Sequence, residues 1–302
     1  MTPVLNSIVL TFGIGAVCWA ARCTTVAEAG VLREYQDYVA RAELAMAQHS
    51  ESEELSWAPS SAASDMQAKL ASGKFVRRNI SDAALNQRIA SRNGTVIHWI
   101  GAIRIHGASL AEVGSVLGDY DHWNQIYRPM IFACKAERIV EEPSTFNVIL
   151  GLQSAFRFAS LFPQHYAFQV KGRIDSSSSK PAGDSAFRVH LRSSEIRESD
   201  SGEPGKTDFL EPYHDHGIMW ALNAYWRARP RGNDIYLEFE TITLARSVQA
   251  FSCKIGFIPV PQSVIAAAMD ALPADSVAVI LEGTKAECER KALRMPLNVS
   301  GQ

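Results

Sequence analysis

Charge of one sign is what this chain has little of. Lysine and arginine total 30 against 32 acidic residues, for a net charge of −2 over 302 residues. No long basic run breaks that balance, so the electrostatic footprint of a nucleic-acid-binding protein is missing. The densest basic segment, Arg227 to Arg231, reads as a solvated turn. Cysteine is scarce too, with five in the whole chain and no paired spacing. That excludes a disulfide framework and a zinc ribbon. The sequence also lacks a glycine-rich phosphate loop and a serine in a nucleophile-elbow context. No internal repeat is visible. These absences leave no assigned catalytic residue, no metal ligand set and no implied cofactor.

What is present begins with an apolar segment. Val4 to Ala21 is interrupted by polar side chains only at Asn6, Ser7 and Thr11. Ala27-Glu28-Ala29 then offers small residues at the two positions an export peptidase reads. The expectation is an exported, periplasmic or secreted protein cut after Ala29. An uncleaved anchor through residues 4–21, barely long enough to span a bilayer, is the alternative. Cleavage would leave Cys134, Cys253 and Cys288.

Residues 31–49 carry Val31, Leu32, Tyr35, Val39 and Leu44 at helical spacing, and a second helix is expected over 81–91. Residues 50–65 are rich in Ser, Glu, Ala and Pro and read as a linker. From Thr95 onward alternation takes over, first in Ile97, Trp99, Gly101, Ile103 and Ile105. Ser109-Leu-Ala-Glu112 is a capping box opening a short helix. A further helical turn from Asp121 turns Trp123, Ile126 and Tyr127 inward. Strands are expected over 130–140, 145–152, 165–174, 185–197, 216–228 and 234–246, then two helices near 261–272 and 274–293.

The strongest local pattern is the pair of segments Trp220–Arg227 and Asp234–Thr243, joined through Arg229-Pro-Arg-Gly-Asn233. Apolar and polar residues alternate with period two in both, the mark of half-buried strands. Folded as a hairpin, they place Trp220, Leu222, Ala224 and Trp226 on one face with Leu237, Phe239, Thr241 and Thr243. The other face holds Asn223, Tyr225 and Arg227 beside Tyr236, Glu238 and Glu240. It is expected to be solvated, with Tyr225 opposite Glu238 and Asn223 opposite Glu240. Were it to face inward, it would supply the polar end of a ligand site. His214-Asp215-His216 has metal-like residue types but no third or fourth ligand at a recognisable spacing. It reads as a strand-entry loop.

The order of elements, together with Val116–Pro129 (VLGDYDHWNQIYRP), the hairpin and the terminal helix, resembles the START and polyketide-cyclase-like superfamily. That resemblance implies an α+β helix-grip fold, a curved antiparallel sheet of about seven strands wrapped around a long C-terminal helix. The corresponding division is an export signal or anchor (1–29), a helical leader and linker (30–94), the START-like domain (95–294) and a tail (295–302). The superfamily binds lipids, quinones, sterols and polyketides. The implied partner is therefore a hydrophobic small molecule or lipid, with transient membrane contact and no nucleic acid. Candidate ligand-lining residues are Trp99, Tyr127, Trp220, Leu222, Trp226, Leu237, Phe239 and Ile280. Non-catalytic binding or carriage is the leading functional expectation. The alternatives are a cyclase or hydratase with acid–base side chains in the cavity, and a closed groove serving protein contacts. Of the two hairpin tryptophans, Trp226 is expected to border the cavity.

Overall fold

The computed structural model describes residues 25–48, 54–141, 144–158, 162–179, 186–250, 254–255, 258–259 and 261–294. The apolar segment Val4–Ala21, Cys18, Cys23, Cys253 and the tail 295–302 lie outside the described residues. Strand β1 (Thr25–Val26) leads into helix α1 (Ala29–Gln48), followed by α2 (Ala63–Ala71), β2 (Val76–Asn79) and α3 (Ala83–Ala90). Next come β3 (Gly94–His106), α4 (Leu110–Leu117), α5 (Trp123–Ile126), β4 (Ile131–Val140), β5 (Ser144–Phe158), β6 (Phe162–Ser179) and β7 (Ala186–Glu198). The chain closes with β8 (His214–Asp215), β9 (Ala221–Arg231), β10 (Asp234–Arg246), β11 (Lys254–Ile255), β12 (Ile258–Pro259) and α6 (Gln262–Arg294).

Local chemistry sets several of these boundaries. The Ser109 hydroxyl accepts from the Glu112 amide at 3.2 Å and Glu112 accepts from the Ser109 amide at 2.6 Å, closing the expected capping box at α4. Asp82 caps α3 by accepting from the amides of Ala84 and Leu85. At the tip of the β9–β10 hairpin, Arg231 pairs with Asp234, leaving a two-residue turn. Its Gly232 has φ +60°, a backbone state that glycine adopts without steric cost.

The large sheet has the order β2-β3-β10-β9-β7-β6-β5-β4, with antiparallel pairs throughout. Seven of its strands are those expected, and the eighth is β2, contributed by the leader. Helix α6 lies across one face, where Ile265, Met269, Val277, Ile280 and Leu281 join the main hydrophobic core. The expected helix-grip arrangement, a sheet curled around its C-terminal helix, is therefore present. At Gly101 on β3 helix and sheet approach closely: a Cβ there would collide with Val277 of α6 and lie 2.8 Å from the Val76 carbonyl.

Three expectations need correction. The two helices anticipated near the C-terminus are one, α6, with Pro273 inside it. Proline costs one helical hydrogen bond, but core residues both before and after it are anchored on the same sheet. The hairpin faces are as expected except at Trp220, yet the register differs by two residues: Glu238 pairs with Arg227 and Glu240 with Tyr225. The shorter turn accounts for that shift.

The third correction concerns the face thought to be solvated. Asn223, Tyr225, Glu238 and Glu240 are all buried, and β10 is buried along nearly its whole length. The N-terminal elements cover this convex face. Val31, Tyr35 and Val39 of α1 form a second core with Leu85, Ile89, Val96, Tyr225, Ile242 and Leu244. Leu55, Leu70 and Val76 close a third around Ala102 and Tyr236. Alternation of Leu and Glu along β10 thus marks two covered faces of different chemistry. One is apolar, and the other sets the paired charges of Glu238 and Glu240 between apolar residues such as Tyr236 and Ile242.

Candidate functional site

Between α6 and the concave face of the sheet is a cavity of about 470 Å³, within the range of roughly 300–1,000 Å³ usual for small-molecule sites. Strand parity builds its wall. Leu222, Ala224 and Trp226 project from β9, while Phe239, Thr241 and Thr243 project from the facing positions of β10. Ile97, Leu150, Phe168 and Leu191 extend the wall along β3, β5, β6 and β7. Met269, Leu272, Val279 and Ile280 of α6 form the roof, and Trp123 of α5 closes one side.

The aromatic residues form a connected row. The Trp226 ring is 4.7 Å from Phe239 and 5.5 Å from Trp123, and Trp123 is 5.6 Å from Tyr127. Trp123 and Trp226 are buried, and neither indole N–H has a hydrogen-bond acceptor among the described residues. An unsatisfied buried donor costs about 1–3 kcal/mol, so two of them in the wall of one cavity are a feature to be explained. The ionisable group on the wall is Asp275, whose carboxylate is largely exposed and ion-paired with Arg77 at 3.3 Å.

Of the eight residues singled out from sequence, Leu222, Trp226, Phe239 and Ile280 line this cavity. Tyr127 and Leu237 are fully buried in the same core but away from the wall. The Tyr127 hydroxyl meets Thr284 of α6 at 3.1 Å, and burial pushes its pKa well up. Trp99 donates to Asp270 of α6 at 2.9 Å, clasping helix to sheet beside the cavity.

Trp220 is on the opposite face, in the core under α1, and its indole donates to Asp215 at 2.8 Å. The reason is a break in the pleat. Ala221 faces Leu244, but the Trp220 amide also donates to the Leu244 carbonyl at 2.7 Å, so Trp220 and Ala221 stand opposite one residue as a β-bulge. Parity counted back from Trp226 fails at that bulge, which instead delivers Ile218 and Met219 to the cavity. Trp123 is the lining residue whose importance sequence reasoning missed. Its inward orientation was legible from helical spacing, but its unpartnered donor was not. The histidine triplet turns elsewhere, with the His216 Nδ1 3.0 Å from Glu198.

No protein-family profile and no curated protein matches the chain. Solved structures do. A STAR-related lipid transfer protein from Xanthomonas axonopodis is 12% identical with a TM-score of 0.37, over 70% of this chain and 98% of that one. The Zhui aromatase/cyclase from a Streptomyces species is 17% identical with a TM-score of 0.37, over 65% and 96%. The lipid transfer and protein localization domain of human StarD13 is 9% identical with a TM-score of 0.37, over 75% and 98%. Likeness at this level says nothing about which ligand this chain takes. That question rests on the cavity itself.

Proposed function

We propose that the protein binds and carries a hydrophobic small molecule bearing hydrogen-bond-accepting oxygens, held in the concave cavity under α6. The observation that carries this reading is the pair of orphan indole donors, Trp123 and Trp226, in a mostly apolar wall that also holds Gln153, Thr241, Thr243, Asp275 and Ser276. A carbonyl or hydroxyl oxygen on the ligand would satisfy them, and the aliphatic wall would bury its hydrocarbon body. Quinones, sterols and polyketide-like molecules all have that combination. Cyclase chemistry would need an acid and a base at the reacting carbons. The described wall supplies only the rim carboxylate Asp275, which favours carriage. We further propose that Val4–Ala21 directs export, placing this carrier outside the cytoplasm.

The test uses two probes of one skeleton, menadione and 2-methylnaphthalene, which differ in carrying or lacking quinone oxygens. Menadione should bind about three- to tenfold more tightly, the worth of one net hydrogen bond. Trp226→Phe should erase that preference while leaving 2-methylnaphthalene unaffected, and Leu222→Trp should block both. Equal affinities in the wild-type protein, or no binding of either probe, would overturn the reading. Native mass spectrometry with lipid extraction would then identify the resident ligand.

A further inference from the structure

The large sheet ends on one side at β2, four residues long, and on the other at β4, ten residues long. A very short edge strand offers little to pair with, whereas a long one presents a row of backbone donors and acceptors. Along β4 Ala133, Lys135, Glu137, Arg138, Ile139 and Val140 are exposed. Among the described residues no strand pairs with its outer side. Irregularities at Ile131–Ala133 and Arg138–Val140 bound a regular run, Ala133 to Arg138, paired with Gly151 to Phe146 of β5.

Side chains in that run divide by parity. Cys134 and Ala136 turn toward the main core. Lys135 and Glu137 stand on the other face, beside Ile149 and Asn147 of β5 respectively. Neither Lys135 nor Glu137 has an ion-pair or hydrogen-bond partner among the described residues. Arg138, by contrast, is engaged by its own chain, 2.9 Å from Glu141 with its guanidinium over the Phe146 ring. Apolar surface borders the two free charges, since Ile139 and Ile149 are 47% and 42% exposed.

Charge on an edge strand commonly guards it against pairing. A guard of one sign repels a second copy, but Lys135-Ala136-Glu137 complements one. Two copies of β4 related by a two-fold axis perpendicular to the sheet run antiparallel with like faces aligned, so the axis passes through a residue. With the axis at Ala136, Lys135 of each copy faces Glu137 of the other, and Ile139 faces Ala133. Small side chains meet at the centre, where Ala136 opposes its own copy. Moving the axis to Lys135 or to Glu137 sets like charges directly opposite, which is destabilising. The charges therefore select one register.

We propose that the protein pairs with a second copy of itself through antiparallel association of β4 centred on Ala136, joining two sheets edge to edge in an isologous dimer. The paired run is short, which places this dimer among weak, concentration-dependent associations rather than interfaces of roughly 1,200–2,000 Å².

Sedimentation velocity of the purified full chain over about 1–500 µM tests the proposal. Wild type should pass from monomer to dimer within that range. Lys135→Glu and Glu137→Lys each turn both cross-strand pairs repulsive, and each should weaken the dimer about tenfold or more. The double variant Lys135→Glu/Glu137→Lys restores opposite charges and should restore the dimer. An equimolar mixture of the two single variants should form a heterodimer, read by native mass spectrometry. Both side chains are exposed and without partners, so every variant should keep the wild-type far-UV circular dichroism. A monomeric wild type across the range, single variants that associate as tightly as wild type, or a double variant and mixture that stay monomeric would each overturn the proposal. None of Ala133 to Arg138 lines the concave cavity, so these outcomes leave the quinone discrimination there untouched.

Discussion

Asp215 offers a direct measure of how deeply the N-terminal elements are built into this fold. It is 1% exposed, in a strand that pairs with Thr25–Val26. One carboxylate oxygen accepts from the Gly217 amide at 2.7 Å and from the Trp220 indole at 2.8 Å, while the other has no partner. Burial first, and then the charge on Glu198, raises its pKa from 3.8 to about 6. The hydrogen bonds from the Gly217 amide and the Trp220 indole oppose that shift without cancelling it. A carboxyl with a raised folded-state pKa favours folding while it is protonated. Its contribution is complete below the ordinary carboxylate value and is lost as pH rises through about 6.

At 1.36 kcal/mol per unit, the loss amounts to about 3 kcal/mol. Asp215→Asn keeps an acceptor for Gly217 and Trp220 and removes the charge. Urea unfolding should therefore show the variant about 2–3 kcal/mol more stable than wild type near pH 8, and closely matched near pH 4. Because other carboxylates titrate in both proteins, the difference between the two curves is the quantity to follow. A variant uniformly less stable across that range would mean that hydrogen bonds to the ionised form outweigh burial, and the reasoning would fail.

Other expectations follow from the packing. Trp220→Ala should cost about 3–5 kcal/mol in denaturant unfolding without changing menadione affinity, because Trp220 fills the core under α1. Arg227→Met should cost a comparable amount, about 3–5 kcal/mol, since it strands the buried carboxylates of Glu238 and Glu240. Gly101→Ala should destabilise by about 1–3 kcal/mol through overpacking, read as a lower thermal midpoint, because β2 and α6 leave no space for a methyl group there. The mass of the native chain tests export and processing together. A cut after Ala29 predicts a chain starting at Gly30, without the β1 strand and the buried Ala27, whereas a start upstream of Thr25 keeps both.

Period-two alternation, the Ser109–Glu112 box and the glycine-bearing hairpin turn were legible in the sequence because each reflects chemistry within a few residues. They were enough to place seven strands, the capped helix and the shared face of Leu222, Trp226 and Phe239, while helical spacing set the face of Ile280. Tertiary structure alone decided the rest. A Glu every second residue looks solvated until it is known what covers it. Here the cover comes from residues more than a hundred positions earlier, which turn the face of Glu238 and Glu240 into a charged interior. Likewise, nothing local announces the bulge at Trp220–Ala221, because it is defined by what both residues face across the sheet, the single residue Leu244. That bulge sends Trp220 to one side of the sheet and Trp226 to the other. Pattern sets which residues share a face, but long-range packing determines what each face meets.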